Sequence, residues 1–381
     1  MKQGKRTTTG LALALTVAAA LGAASCTSSQ GTGASGAAAT AASSAPSAAY
    51  EQQLTLAEAK AAYATYLTTS DLAARVGDES LALSAVTDAA ADTLRADYSI
   101  ARASDLGPPF TRYSYGPPTY YLTQPAGAGG PWYFVVSVTR SSVPGTTAMD
   151  ASAQDAAAGV QLPASGTVLL LFEKPTASGA WQVASISQMA PGESVPALAT
   201  DRNGYVITDS MNGAGPQLVR PALAPPLQAG VVDDGPDSPA AQVVASGPLT
   251  TGLYHIGATS AAGIAPPSGD VYQWLLEGSS YGRLALRTAD GGSLVLYTMY
   301  FNLTVQTKSS LDEDVPVASG PPIAVPAYVR ALLPPGRPAP TTRLETQDVL
   351  SFAAIDPPAA DKPAKIQVIA IGGGLHTAMA S

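Results

Sequence analysis

The sequence predicts an α+β protein: two tandem helix-plus-antiparallel-sheet domains after a signal peptide and a disordered tether. Three observations lead there. An uncharged apolar run at 11–22 (LALALTVAAALG) follows Lys2, Lys5 and Arg6 near the N-terminus. Apolar side chains then recur at helical spacing between 50 and 100, before short aromatic and β-branched runs take over, punctuated by Gly and Pro. The same order of elements returns in the second half of the chain.

The apolar run has twelve residues, about 18 Å of helix at ~1.5 Å per residue, too short for a bilayer core of ~30 Å. With its basic flank and the small residues Gly22, Ala23, Ala24 and Ser25, it has the three-part layout of a secretory signal. Gly22-Ala23-Ala24-Ser25-Cys26 resembles a bacterial lipobox, although Ala23 stands where Leu is usual and Leu21 lies further back. That resemblance implies that Cys26 receives a diacylglycerol, becomes the first residue after cleavage, and holds the protein on the outer face of the cytoplasmic membrane. The alternative is an ordinary secreted protein cut near Ala23–Ser25, with Cys26 incidental. Cys26 is the single Cys of the chain. Residues 27–49 are only Ala, Ser, Thr, Gly, Gln and Pro, without charge, and read as a flexible tether. Two acyl chains suffice for stable anchoring, where one is marginal.

The folded part begins with a capping box, Thr55 to Glu58. Leu56, Ala59, Tyr63, Tyr66 and Leu67 then share a helical face, and Gly77 ends the pattern. Asp78 is placed to cap a second helix through Leu83, Val86, Ala90 and Leu94. Four hairpin strands follow, at 119–123, 132–139, 167–172 and 181–187. In the second half, 218–232 and 240–259 are helical candidates broken by Pro221, Pro225-Pro226 and Pro248. Strands are expected at 284–287, 294–305, 349–355 and 365–371, the first two joined by Ala289-Asp290-Gly291-Gly292, a tight-turn sequence. The Asn203–Pro216 stretch is turn-rich and marks the boundary. The division is 1–25 signal peptide, 26–50 lipid-anchored linker, 51–205 first domain and 216–381 second domain.

A helical segment followed by a four-stranded antiparallel meander resembles the nuclear transport factor 2-like and cystatin-like folds. The whole layout is similar to secreted actinomycete lipoproteins of unknown function. The first resemblance implies helices laid over one sheet face; the second implies no particular activity.

Composition excludes several functions. One Cys leaves no internal disulfide and no Cys-based zinc site. Removing the signal leaves 17 basic against 28 acidic residues, a net charge of −11, so nucleic acid is not an expected partner. No phosphate loop, nucleophile elbow or zinc helix occurs, no cofactor or metal is expected, and Gly372-Gly373-Gly374 reads as a chain-end turn. Asp233-Asp234-Gly235-Pro236-Asp237 reads as a solvated loop, and His255 and His376 as packed or surface residues. The aromatic residues Tyr113, Tyr115, Tyr120, Tyr121, Trp132 and Tyr133 are the candidate binding surface, since amphipathic rings serve adhesion as well as strand packing. The expected function is non-catalytic binding of an envelope protein or small ligand by a membrane-anchored extracytoplasmic lipoprotein. The alternative is a pocket enzyme acting on a small hydrophobic molecule. A cavity between helices and sheet with His255 or a buried Asp favours the enzyme; a filled core with an exposed Tyr patch favours binding.

Overall fold

The computed structural model describes residues 53–381, apart from positions 109, 177, 324 and 362 and the segments 126–130, 146–161, 261–270, 307–322 and 337–341. The expected signal peptide, Cys26 and the expected tether lie outside the described residues.

Helix α1 (Leu56–Val76) starts as its capping box requires, with Thr55 Oγ1 accepting the Glu58 N–H at 3.1 Å. Ala59, Tyr63, Tyr66 and Ala73 point inward, whereas Leu56, expected on the same face, is exposed. Gly77 closes the helix at φ 72°, a left-handed conformation that suits glycine. Asp78 caps α2 (Glu79–Ser84) through the Leu81 N–H at 3.0 Å. The second helix expected through Leu94 is therefore two helices. Residues 85–87 leave helical geometry because they make strand-like bonds: Thr87 N–H donates to the Val183 carbonyl and Val183 N–H to that of Ala85. Helix α3 (Asp88–Ala103) follows.

The first-half strands are β1 (Tyr113–Tyr115), β2 (Thr119–Leu122), β3 (Trp132–Ser142), β4 (Ser165–Lys174) and β5 (Gln182–Met189). The second half holds α4 (Ala224–Asp234), α5 (Thr251–Ser260), β6 (Val271–Gly278), β7 (Leu284–Arg287), β8 (Ser293–Gln306), α6 (Ala327–Leu332), β9 (Arg343–Asp356) and β10 (Gln367–Ala380). Pro225 and Pro226 begin α4 rather than break it, as proline can where the N–H has no helical partner. The 240–259 candidate is a short 3₁₀ turn, Pro239–Gln242, and then α5. All four expected hairpin pairings form, β2 with β3, β4 with β5, β7 with β8 and β9 with β10. Strands β1 and β6 and helix α6 have no counterpart in the sequence reading.

The ten strands form a single open antiparallel sheet in the order β1-β3-β4-β5-β10-β9-β8-β6, with β2 also on β3 and β7 also on β8. Each half thus contributes three consecutive strands to the middle of the sheet and an outer edge made of two, β1 and β2 in the first half and β6 and β7 in the second. The halves meet edge to edge at β5 and β10, which removes two exposed strand edges. Alternation along β4 sends Val168, Leu170 and Phe172 toward α1 and sends Leu169 and Leu171 to the opposite face. On β8, Val295, Tyr297 and Met299 join the cluster that includes α4 residues, while Leu294 and Leu296 join Leu169 and Leu171. That opposite-face cluster therefore draws on both halves.

The turn-rich boundary is itself bonded to the sheet. Val206 bridges to Thr123 beside β2, and Thr208 bridges to Leu286 in β7. Its Asn203-Gly204 turn is held by Asp201, whose Oδ1 accepts the N–H groups of Asn203 at 2.8 Å and Tyr205 at 3.0 Å. The Asp290 turn forms likewise, with Asp290 Oδ1 accepting the Gly292 N–H at 3.1 Å.

The reading of Gly372-Gly373-Gly374 as a chain-end turn is corrected: all three lie inside β10. Only Ala370↔Met189 and Ile371↔Gln188 are in register between β10 and β5. At Gly372 an added Cβ would collide with the Ile186 carbonyl oxygen, so the two backbones approach more closely than a side chain permits. Gly373 sits at φ 107°, and its Cβ would collide with the Val349 carbonyl oxygen. Gly373→Ala is expected to lower the unfolding free energy by at least about 2 kcal/mol, through strain and displaced β9 backbone together. Chemical denaturation of the two proteins checks this.

Candidate functional site

Where β10 leaves β5, the helices bridge a gap. The result is a cavity of about 480 Å³ between α1–α3 and the strands β1, β3, β5, β9 and β10. Small-molecule sites span roughly 300–1,000 Å³. Its helix side presents Ala89, Ala90 and Leu94 of α3, and its sheet floor presents Ile186, Leu350 and Ile371. Gly372 and Gly373 complete that floor without side chains.

Polar groups come from the β1–β3 side. Arg140 of β3 stacks on the Tyr113 ring, 4.1 Å from its centroid. The phenols of Tyr115 and of Tyr66 in α1 share a hydrogen bond. Burial pushes the Tyr115 phenol well above its usual range, and burial raises Tyr66 too, so both stay neutral. Arg112 Nε donates to Asp71 Oδ1 at 2.6 Å, joining α1 to the approach to β1. That bond, ahead of opposing burial, holds the Asp71 carboxyl below its ordinary value. Asp97 of α3, 7% exposed, also lines the cavity.

The six aromatic residues of the candidate surface are not brought together. Tyr113 and Tyr115 line the cavity. Tyr120 packs toward α1, its ring centroid 6.0 Å from that of Tyr63. Tyr121, next along β2, joins the opposite-face cluster, as strand alternation requires. Trp132 is buried with Lys174 Nζ 4.8 Å from its ring centroid, and Tyr133 lies on the opposite face. His255 is exposed on α5, and neither His255 nor His376 lines the cavity. Asp71, Arg112, Asp97 and Arg140 were missed by the sequence reading. Isolated charges in a charge-poor chain were their only signal, and nothing there told a cavity residue from a surface one.

Two carboxylate arrangements lie elsewhere. Glu58 accepts from Trp181 Nε1 at 2.8 Å and from Lys174 Nζ at 3.0 Å. Burial would raise its pKa, but those two donors outweigh burial and hold it low. The acidic stretch read as a solvated loop begins inside α4, whose last residues are Asp233 and Asp234, and is not wholly solvated: Asp233 Oδ1 accepts the Leu276 N–H at 2.8 Å, and burial raises its carboxyl to about 6. Among the described residues no group of three His, Cys, Asp or Glu is placed to hold a metal ion.

Glu173 of β4 faces Asp88 of α3 and Tyr133 of β3. Burial first, then the Asp88 carboxylate, pushes Glu173 up to about 7. Asp356, fully buried, is raised to about 7, again chiefly by burial. A raised carboxyl stabilises the fold fully below its unfolded pKa, and that contribution is lost as pH rises through the folded value. The thermal midpoint is therefore expected to fall as pH rises from about 4.5 to about 7.5. Glu173→Gln should shrink that fall, leaving the part due to Asp356 and Asp233. Calorimetry across the window checks it.

These features define an α+β protein with an apolar, polar-ended cavity beneath its first helices. Residues 51–377 match the family described as Domain of unknown function (DUF8094), and the chain belongs to that family. No curated protein and no solved structure matches it. Among the described residues no helix is long and apolar enough to cross a membrane.

Proposed function

We propose that the protein is a membrane-anchored extracytoplasmic lipoprotein of the cell envelope, and that its folded part binds a small, mostly apolar molecule. The diacylglyceryl group on Cys26 holds it on the outer face of the cytoplasmic membrane, and the uncharged tether gives the folded part reach. The observation that supports binding is the cavity under α1–α3, with an apolar floor and a cluster of Tyr and Arg on one side. Internal capture replaces the surface capture expected from the aromatic strands, since Tyr120 and Tyr121 point to opposite faces. The layout of each half, helices before a sheet whose outer edge is made of two strands, supports a duplicated nuclear transport factor 2-like or cystatin-like unit. The similarity to secreted actinomycete lipoproteins fits the signal and tether.

A second reading, a pocket enzyme acting on a small hydrophobic molecule, is favoured by the combination expected of an enzyme, a cavity between helices and sheet with the buried carboxyl of Asp97 in it. Mass spectrometry of material carried by wild type and Asp97→Asn separates the two. A binding protein carries the same molecule in both; an enzyme accumulates an unconverted substrate in the variant.

Ala90→Phe tests the cavity directly. The neutral probe N-phenyl-1-naphthylamine should bind the variant at least about tenfold more weakly, with the thermal midpoint little changed. Equal binding would sink the cavity reading. Fractionation tests the anchor: wild type should sediment with membranes and Cys26→Ala should appear in the medium. Equal release of both would remove the anchor.

A further inference from the structure

The first turns of α3 have the cavity on one face and a pair of carboxyl groups on another. Ala89, Ala90 and Thr93 line the cavity. Asp88 and Asp92, four residues apart, share a different helix face. Asp88 enters the helix at φ 49°, a left-handed backbone that a residue with a side chain keeps only where its surroundings impose it. Just before it, residues 85–87 are fixed to β5, with Thr87 N–H donating to the Val183 carbonyl at 2.9 Å and Val183 N–H to that of Ala85 at 3.0 Å.

Both halves of the chain close on the Asp88–Asp92 face. Glu173 stands directly across from Tyr133 in the β3–β4 ladder, and its carboxyl shares a hydrogen bond with that of Asp88. Two carboxyl groups bond in this way only while one of them holds a proton. Glu173 Oε2 is buried and receives no N–H or O–H bond among the described residues. Gly282, between β6 and β7, comes so near that an added Cβ would stand 3.0 Å from Tyr133 Oη and 3.2 Å from Glu173 Oε2. Its neighbour Tyr281 donates to Asp92 Oδ2, and Arg95 Nη1 lies 2.6 Å from Asp92 Oδ1. Glu173 is thus faced by the Asp88 carboxyl from α3, the Tyr133 phenol from β3, which burial keeps neutral, and the backbone of Gly282. Cations on these elements have other partners: Lys174 has Glu58, Arg95 has Asp92, Arg102 has Glu79, Arg140 has the Tyr113 ring, and Arg283 donates to the Ser279 carbonyl at 3.0 Å. Without the shared proton, two adjacent carboxylates would meet at a strained residue with no counter-ion between them.

We propose that the Asp88–Glu173 pair is a pH-sensitive latch on the cavity. With its proton in place, Glu173 holds Asp88 and the first turns of α3 stay closed over the cavity. Once the proton is lost, repulsion between the carboxylates and release of the strained Asp88 backbone let those turns lift, and the occupant exchanges. Proton uptake favours the closed form, because only there do the two carboxyls share their bond. Burial, then Asp88, raises Glu173 from 4.5 to about 7 in the closed form. The closed form therefore loses ground as pH rises through that window, by on the order of a hundredfold in its ratio to the open form. The inference rests on the reading of the cavity as a binding site and adds how its occupancy is controlled.

Release of N-phenyl-1-naphthylamine from the purified wild-type chain, followed by stopped-flow dilution, tests the latch. Release should be at least about fivefold faster at pH 8 than at pH 5.5. Glu173→Gln cannot ionise and its amide still donates to Asp88, so release should stay slow at both pH values. Asp88→Asn should behave alike and serves if the Glu173 variant does not fold. Hydrogen exchange, corrected for the intrinsic effect of pH, reads the motion without a ligand. Between the same pH values, protection of residues 91–95 in wild type should fall at least about fivefold more than that of β9, and this excess should vanish in Glu173→Gln. A wild-type release rate or α3 protection unchanged by pH overturns the proposal. So does a pH dependence that the folded variants retain. A probe that does not bind, or that binds wild type and Ala90→Phe alike, overturns the cavity reading instead, and exchange in α3 then decides the latch alone.

Discussion

The close passage of β10 against β5 at Gly372 and against β9 at Gly373 is the constraint on which the rest of the structure depends. Two residue pairs hold the halves of the sheet together there, and then the strands part. Neither glycine position accepts a Cβ, because backbone oxygens of β5 and β9 occupy the space. Parting leaves the N-terminal portion of β5 without a β10 partner, and residues 85–87 supply one through Val86 and Val183. That pairing breaks the second helix in two and sets where α3 begins. Helix α3 then spans the opening, its Ile100 packing with Leu375 and Ala378 of β10. The cavity is the space left between α3 and the diverging strands.

The polar end of the cavity is organised from the other side. Asp71 and Arg112 join α1 to the segment entering β1, while Arg140 and Tyr113 join β3 to β1. A second tie secures the start of α1, where Glu58 receives Lys174 and Trp181 from the first-half sheet. Lys174 is 5% exposed, so the Glu58 carboxylate is what makes its burial tolerable. An apolar cavity removes packing that a filled core would supply, and these ties hold its walls in place.

Much of the local structure was legible because it rests on short-range chemistry. Thr55 and Glu58 announce α1, Asp290-Gly291 announces a hairpin, and the aromatic and β-branched runs announce the longer strands. The rest depends on partners far away in sequence. Val86 has helical periodicity but is recruited by Val183, ninety-seven positions on. The three glycines of β10 look like a terminus until β5 and β9 are placed beside them. Strand β6 is recognisable through its partner β8 rather than through its own pattern, and Leu275 on it is 45% exposed. The cavity was the least legible feature, since Asp71, Asp97, Arg112 and Arg140 converge from two helices, the segment entering β1 and strand β3. The aromatic signal was real, yet only Tyr113 and Tyr115 reach the site.

The same geometry makes the two halves dependent on each other. Leu350, Ser351, Ile371, Gly372 and Gly373 come from the second half, while every helix over the cavity comes from the first. The connector repeats this at the outer edges, where Val206 meets Thr123 and Thr208 meets Leu286. The opposite-face cluster does so again, with Leu169 and Leu171 packed in one group with Leu286, Leu294 and Leu296. The two halves of the sheet thus divide the labour unequally. The second half fills its own helix-side core with Tyr297, Met299 and Phe352, and lends its last two strands to the floor of a cavity under the helices of the first.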